Sequence, residues 1–157
     1  MSITEKLQAL GYTLPAPAQP AFNYVPVTDH QGVAYVSGQL PKEDGEVRIQ
    51  GKVGAEVDLT QASHAARVCI LQALACLQAE LGDLNRITQI LKVNGYVASA
   101  PGFNAQPKVL DAASTLLVEL FGAPGRHARA AVGVAELPRN APVEIELTVA
   151  VTTGETQ

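Results

Sequence analysis

The stretch from Asp58 to Gly82 most constrains what this chain can become. Ala62, Ala65, Ala66, Cys69, Leu71, Ala73, Leu74 and Leu77 recur at helical spacing, and Gly82 closes the run. The result is a long helix with a broad apolar face. Because much of that face is alanine, it favours close packing onto a sheet. Gln72 and Gln78 interrupt the helix too often for a membrane span. Cys69 and Cys76 lie seven apart along it, about 10 Å on the axis, so they cannot bridge each other within the helix. They read as core-packing thiols in a reducing compartment.

The rest of the chain supplies the sheet. Ser2 caps a short first helix carrying Ile3, Leu7 and Leu10, stopped at Gly11, and the prolines of TLPAPAQPAF then break regular structure. From Asn23 to Gly38, NYVPV, the turn TDHQG and VAYVSG predict a hairpin. Asp44-Gly45 predicts a second turn, leading into a short strand through Val47 and Ile49. ITQILKVNGYVAS is β-rich. PKVLDAASTLLVELFG is helical, with Pro107 in its first turn and Gly122 at its end. Two strands finish the chain, the arginine segment GRHARAAVGVAELP and PVEIELTVAVT, separated by LPRNAP. This order predicts one α+β domain over residues 1–157, with helices on one face of a mixed or largely antiparallel sheet.

Charge narrows the function classes. A net charge of -4 gives no general attraction to nucleic acid or an anionic membrane, and 4% aromatic residues with no Trp leave little for base stacking. MSITEKLQAL lacks the apolar run of a secretory leader, so the expectation is a cytoplasmic protein. His30, His64 and His127 are far apart and the cysteines lack a C-x-x-C partner, so no metal site is expected. No phosphate-loop or dinucleotide fingerprint is present. Any activity would then run without a cofactor.

Candidate chemistry gathers on three strand-like segments. In the arginine segment, alternation puts His127, Arg129, Ala131 and Gly133 on one face and Ala128, Ala130, Val132 and Val134 on the other, and the second face reads as core. A guanidinium followed by two nearly bare positions suits a small carboxylate, whose two oxygens match the Arg fork. The plainer reading is an ion pair with Glu136, Glu144 or Glu146. On the last strand Glu144, Glu146, Thr148 and Ala150 share a face, so a carboxylate there could handle a proton or simply meet solvent. Ser37-Gly38 offers a hydroxyl beside a residue that lets a ligand approach the backbone, but no serine-hydrolase elbow surrounds it.

YVSGQLP, ARAAVGVAELP and VEIE, in this order and spacing, resemble the RidA/YjgF family of reactive-intermediate deaminases, also labelled L-PSP endoribonucleases. The likeness runs from about Tyr24 to Val151. APGFNAQPKVLDAAST adds residues before the second long helix, and with GRHAR marks a longer branch. The resemblance implies a chorismate-mutase-like fold, with two main helices over one face of a mixed sheet, assembled as a homotrimer with clefts between subunits. It implies cofactor-independent hydrolysis of 2-imino or 2-enamino acids to 2-keto acids and ammonia. Arg129 then matches the arginine that grips the substrate carboxylate. Glu144 matches the glutamate that positions water or relays a proton, and Tyr24, Ser37 and Gly38 line the cleft. Ala131 replaces a common cysteine, though its backbone N–H could still bind a carboxylate oxygen, and Ser114 replaces a common asparagine. Those departures favour one rival, a trimeric module that binds a keto or amino acid without turnover. An endoribonuclease ranks below both, given the charge and aromatic content. Roles for Arg126 and His127 stay open.

If the last two strands pair across LPRNAP, Arg129 lies opposite Ala150 and Glu144 opposite Ala135, about 20 Å apart along the strand. Glu144 should therefore meet Arg129 from a neighbouring chain.

Overall fold

The computed structural model describes residues 1–19 and 22–153; Pro20 and Ala21 of the proline-rich segment and residues 154–157 lie outside it. Helix α1 (Ile3–Ala9) starts at a capping box, with Ser2 accepting from the Glu5 N–H while Glu5 accepts from the Ser2 N–H. Strands β1 (Val27–His30) and β2 (Val33–Gln39) form the first hairpin, closed by Gln31-Gly32 with both residues at positive φ. Tyr24 precedes the hairpin instead of lying within it. The Asp44-Gly45 turn joins β3 (Lys42–Glu43) to β4 (Glu46–Val47), a small sheet of its own that stops before Ile49.

The long helix, α2 (Leu59–Leu81), begins at a second capping box on Asp58 and ends at Gly82, whose φ of 80° suits a residue without Cβ. Strand β5 (Ile87–Ala98), helix α3 (Gln106–Phe121), strand β6 (Ala128–Val134) and strand β7 (Val143–Val151) follow. Both cysteines are buried and unbridged. No helix among the described residues is long and apolar enough to cross a membrane.

The five-stranded sheet runs β1-β2-β7-β5-β6, antiparallel except for the parallel β5–β6 pair. The expected β6–β7 pairing is wrong. Strand β5 lies between them, because a strand, helix α3 and a second strand form a crossover unit that returns parallel to its start. Arg129 is level with Val93 and Leu147, and Glu144 with Tyr96 and Val132.

Alternation on β7 sends Val143, Ile145, Leu147, Val149 and Val151 into the core under α2 and α3, and Glu144, Glu146, Thr148 and Ala150 to the other face. The expected facing of β6 is reversed. Arg129 and Ala131 share the face of Val93 and Ile145 beneath α3, whereas Val132 is 46% exposed on the face without helices. Segregating helices to one face builds one core and leaves the opposite face of the sheet without a helix among the described residues.

Candidate functional site

The residues singled out from sequence fall into two groups on opposite faces of the sheet. Helix α3 supports the first. Arg129 Nη1 donates to Asp111 Oδ1 at 3.0 Å and to Ser114 Oγ at 3.1 Å, and Nη2 donates to the Pro107 carbonyl at 3.4 Å. The ion pair is therefore with Asp111 on the facing helix, not with Glu136, Glu144 or Glu146. Asp111 and Ser114 are three apart on one helical face, a spacing that places both against the same neighbour.

His127 holds the second side of Ser114. The Gly125 carbonyl, 2.6 Å from Nδ1, can only accept, so Nδ1 carries the proton. In the neutral ring Nε2 then accepts the Ser114 hydroxyl at 2.9 Å, which leaves the serine oxygen turned as an acceptor toward Arg129. His127 thus orients the hydroxyl that orients the guanidinium. Arg126 is exposed and contributes its carbonyl, which accepts from Gln89.

Asp111 does not consume the arginine. Its contact and that of Ser114 use Nη1, while the Nε–Nη2 edge has no carboxylate partner among the described residues. On that edge Nε has no hydrogen-bond partner among the described residues and Nη2 has only the long contact to the Pro107 carbonyl, and the side chain is 23% exposed. Strand β6 also adds backbone donors. Val134 presents its carbonyl to the Ser99 N–H on the β5 side, so by alternation Arg129, Ala131 and Gly133 turn their N–H groups to the open edge of the sheet. Gly133 is backed closely by Gln106 and Ser99.

The second group surrounds Glu144. A cleft of about 350 Å³ is lined by Glu144, Gly38, Tyr24, Phe22, Lys42 and Arg139, among others. Gly38 leaves room for the carboxylate where it stands, since a Cβ would sit 3.1 Å from the Glu144 carboxyl carbon and would push the carboxylate aside. Ser37 does not offer its hydroxyl to the cleft. It donates to the Val25 carbonyl at 2.8 Å, and with the Ser37 N–H on the Pro26 carbonyl this straps the Tyr24 segment in place.

The two glutamates of β7 divide their tasks. Glu146 is committed, accepting from Tyr96 Oη at 2.7 Å and Asn94 Nδ2 at 3.0 Å, a contact that raises the Tyr96 pKa. Glu144 has no hydrogen-bond partner among the described residues. Partial burial, and secondarily the charge of Glu146 two residues along, push its pKa above the ordinary carboxylate range.

Three residues of strand and two inter-strand spacings separate Arg129 from Glu144, about 14 Å between their Cα atoms instead of 20 Å. They also point to opposite faces, so one small ligand cannot touch both within a chain. Among the described residues no cluster of metal-binding side chains forms. Sequence reasoning missed Asp111, Lys42 and Arg139. The i, i+3 spacing to Ser114 was the signal available for Asp111.

Comparison with known proteins places these residues in context. Residues 4–149 match the family model described as "YjgF/chorismate mutase-like, putative endoribonuclease". Protein TCP17 of Trypanosoma cruzi is 45% identical over 148 residues, 94% of this chain and 92% of that protein. The crystal structure of Atu1372 from Agrobacterium tumefaciens, of unknown function, is 46% identical, with a TM-score of 0.90 over 97% of this chain and 93% of that one. The YjgF gene product of E. coli is similar at 25% identity and a TM-score of 0.63, covering 88% and 94%.

Proposed function

The chain belongs to the YjgF/chorismate mutase-like family, and from that premise we propose that it hydrolyses 2-imino and 2-enamino acids to 2-keto acids and ammonia. The reaction needs no cofactor and runs in clefts between the chains of a homotrimer. One observation supports the reading: Arg129 beneath α3 and the half-buried Glu144, which has no hydrogen-bond partner among the described residues, lie on opposite faces of the sheet. Each is completed by its complement on a neighbour. The helix-free face, which leaves Tyr35 and Val132 exposed, supports such an assembly.

In the mechanism the Nε–Nη2 edge of Arg129 and the Ala131 N–H fix the substrate carboxylate, and so place the imine carbon. Glu144 from the adjoining chain accepts a proton from water as the oxygen bonds to that carbon and the C=N electron pair moves to nitrogen. Glu144 returns that proton to the nitrogen to give the neutral carbinolamine, then takes the hydroxyl proton and passes it to the nitrogen as the C–N bond breaks and the oxygen's electron pair closes the C=O, so the nitrogen leaves as ammonia. A carboxyl group with a raised pKa suits both halves of this transfer.

The test is a coupled assay in which an amino acid oxidase supplies the imine and keto acid release is followed. Wild type should accelerate release, and Arg129→Ala and Glu144→Gln should each lower kcat/KM by about a hundredfold or more. Full activity in Arg129→Ala would refute the mechanism. A second reading, a binding module without turnover, is favoured by one observation: Asp111 partly neutralises Arg129 before any ligand arrives. Ligand-dependent thermal stabilisation with no imine turnover would select it.

A further inference from the structure

Two cations line the Glu144 cleft, and the chemistry above uses neither. Lys42 reaches it from β3 and Arg139 from the turn before β7. Arg48, Lys52 and Arg129 each meet a carboxylate, whereas Lys42 and Arg139 have no ion-pair partner among the described residues. The same two side chains also line the adjoining cavity, where the nearby acid Asp44 is already bound to Arg48 at 2.9 Å. Both therefore line the two cavities with no carboxylate partner among the described residues.

The backbone under Arg139 is the second observation. Arg139 and Asn140 both adopt left-handed φ, 57° and 56°. At Gln31-Gly32 and Asp44-Gly45 a glycine takes the second place and the pair closes a tight hairpin. Here no glycine relieves the turn. Asparagine tolerates the conformation, but arginine, with its Cβ against the following carbonyl, does so under strain. The turn is held by the Asn140 carbonyl accepting from Gly51 N–H at 2.9 Å and by Ala141 N–H on the Pro138 carbonyl at 3.1 Å. Arg139 takes the first, left-handed place of its turn, as Gln31 and Asp44 do in theirs, and its side chain lines the cleft.

We propose that Lys42 and Arg139 form an anion subsite for the far end of the substrate, so that the preferred substrates are diacids: 2-imino acids with a second carboxylate in the side chain. This rests on the imine-hydrolase reading for what happens at the near end. Glu144 alone would repel a side-chain carboxylate, and two cations against one anion reverse that sign. Arg139 supplies a planar fork and Lys42 a point charge, a pairing that suits a terminal carboxylate. A cleft of about 350 Å³ has room for a five-carbon diacid and a water.

Titration calorimetry with 2-oxoglutarate and 2-oxobutyrate, a diacid and monoacid of the product class, tests the subsite without turnover. Wild type should prefer the diacid by about tenfold, less at high salt. Arg139→Gln and Lys42→Gln should each bring that ratio toward one. Arg139→Gly should do the same while raising Tm, because glycine accepts the left-handed turn, and this separates loss of the subsite from loss of the fold. A wild-type ratio near one, or a ratio unmoved in the variants, overturns the subsite. Imine turnover with no diacid preference would sink the subsite alone. A diacid preference with no imine turnover would sink the hydrolase reading and leave the subsite standing.

Discussion

At the scale of single residues, Glu144 shows how a half-buried carboxylate opposes stability. Its pKa is raised in the fold, chiefly by burial and then by Glu146, so the native state binds more protons than the unfolded chain between the ordinary carboxylate pKa and the raised one. Stability therefore falls as pH rises through that window, and the penalty is fully present above it. Glu144→Gln removes the buried charge and should have a higher Tm than wild type near neutral pH. The gap should shrink as pH drops and level off by about pH 3, where the glutamate is protonated in both states. Thermal melts of both proteins across that range check the sign; a gap that widens in acid would contradict the assignment. The alternation of β7 was legible because five apolar residues on one face leave Glu144 no other side. The partner of Arg129 was not legible. Asp111 lies on a different element, and a lone acid on a helix surface looks the same whether it meets solvent or an arginine.

At the scale of elements, the path of the chain beside β6 was the hardest to read. Residues 128–134, ARAAVGV, carry small or β-branched groups on both faces, so alternation alone could not choose which faced the core. Nor does strand pattern identify neighbours, and the short LPRNAP connection suggested a hairpin where the sheet inserts β5. One residue of β5 records how tightly α3 lies over this region. A Cβ on Gly95 would come within 2.7 Å of Leu110 Cδ2, and Leu110 is fully buried with no space to withdraw. Gly95→Ala should cost about 1–3 kcal/mol in denaturant unfolding. It should also lift the turn of α3 that carries Asp111 and Ser114, loosening the clamp on Arg129. Adding Leu110→Ala makes room for the new methyl, so the double variant should be more stable than the two single losses sum to, a coupling that unfolding curves measure directly. Simple additivity would show that Gly95 is not packed against this helix.

At the scale of the whole molecule, the proposed pairing of sites between chains follows from the strand order. Strand β5 spaces β6 from β7, and the pleat turns Arg129 and Glu144 to opposite faces, so a closed ring of identical chains can bring the arginine of one to the glutamate of the next. The sequence led to the same expectation of a neighbour, although it rested on the wrong strand pairing and too long a separation. Subunit mixing separates this arrangement from a site within one chain. Arg129→Ala and Glu144→Gln homo-oligomers should both be inactive. When equal amounts are unfolded and refolded together, a cleft works if the chain giving its arginine is the Glu144→Gln variant and the chain giving its glutamate is the Arg129→Ala variant. Random assembly into a ring meets both conditions at about a quarter of clefts, whatever the number of chains in the ring. Activity should thus return to about a quarter of wild type after co-refolding, and stay absent when the two inactive proteins are mixed without unfolding if subunits do not exchange. If Arg129 and Glu144 served one substrate from the same chain, every chain in the mixture would still lack one of them, and no activity would return.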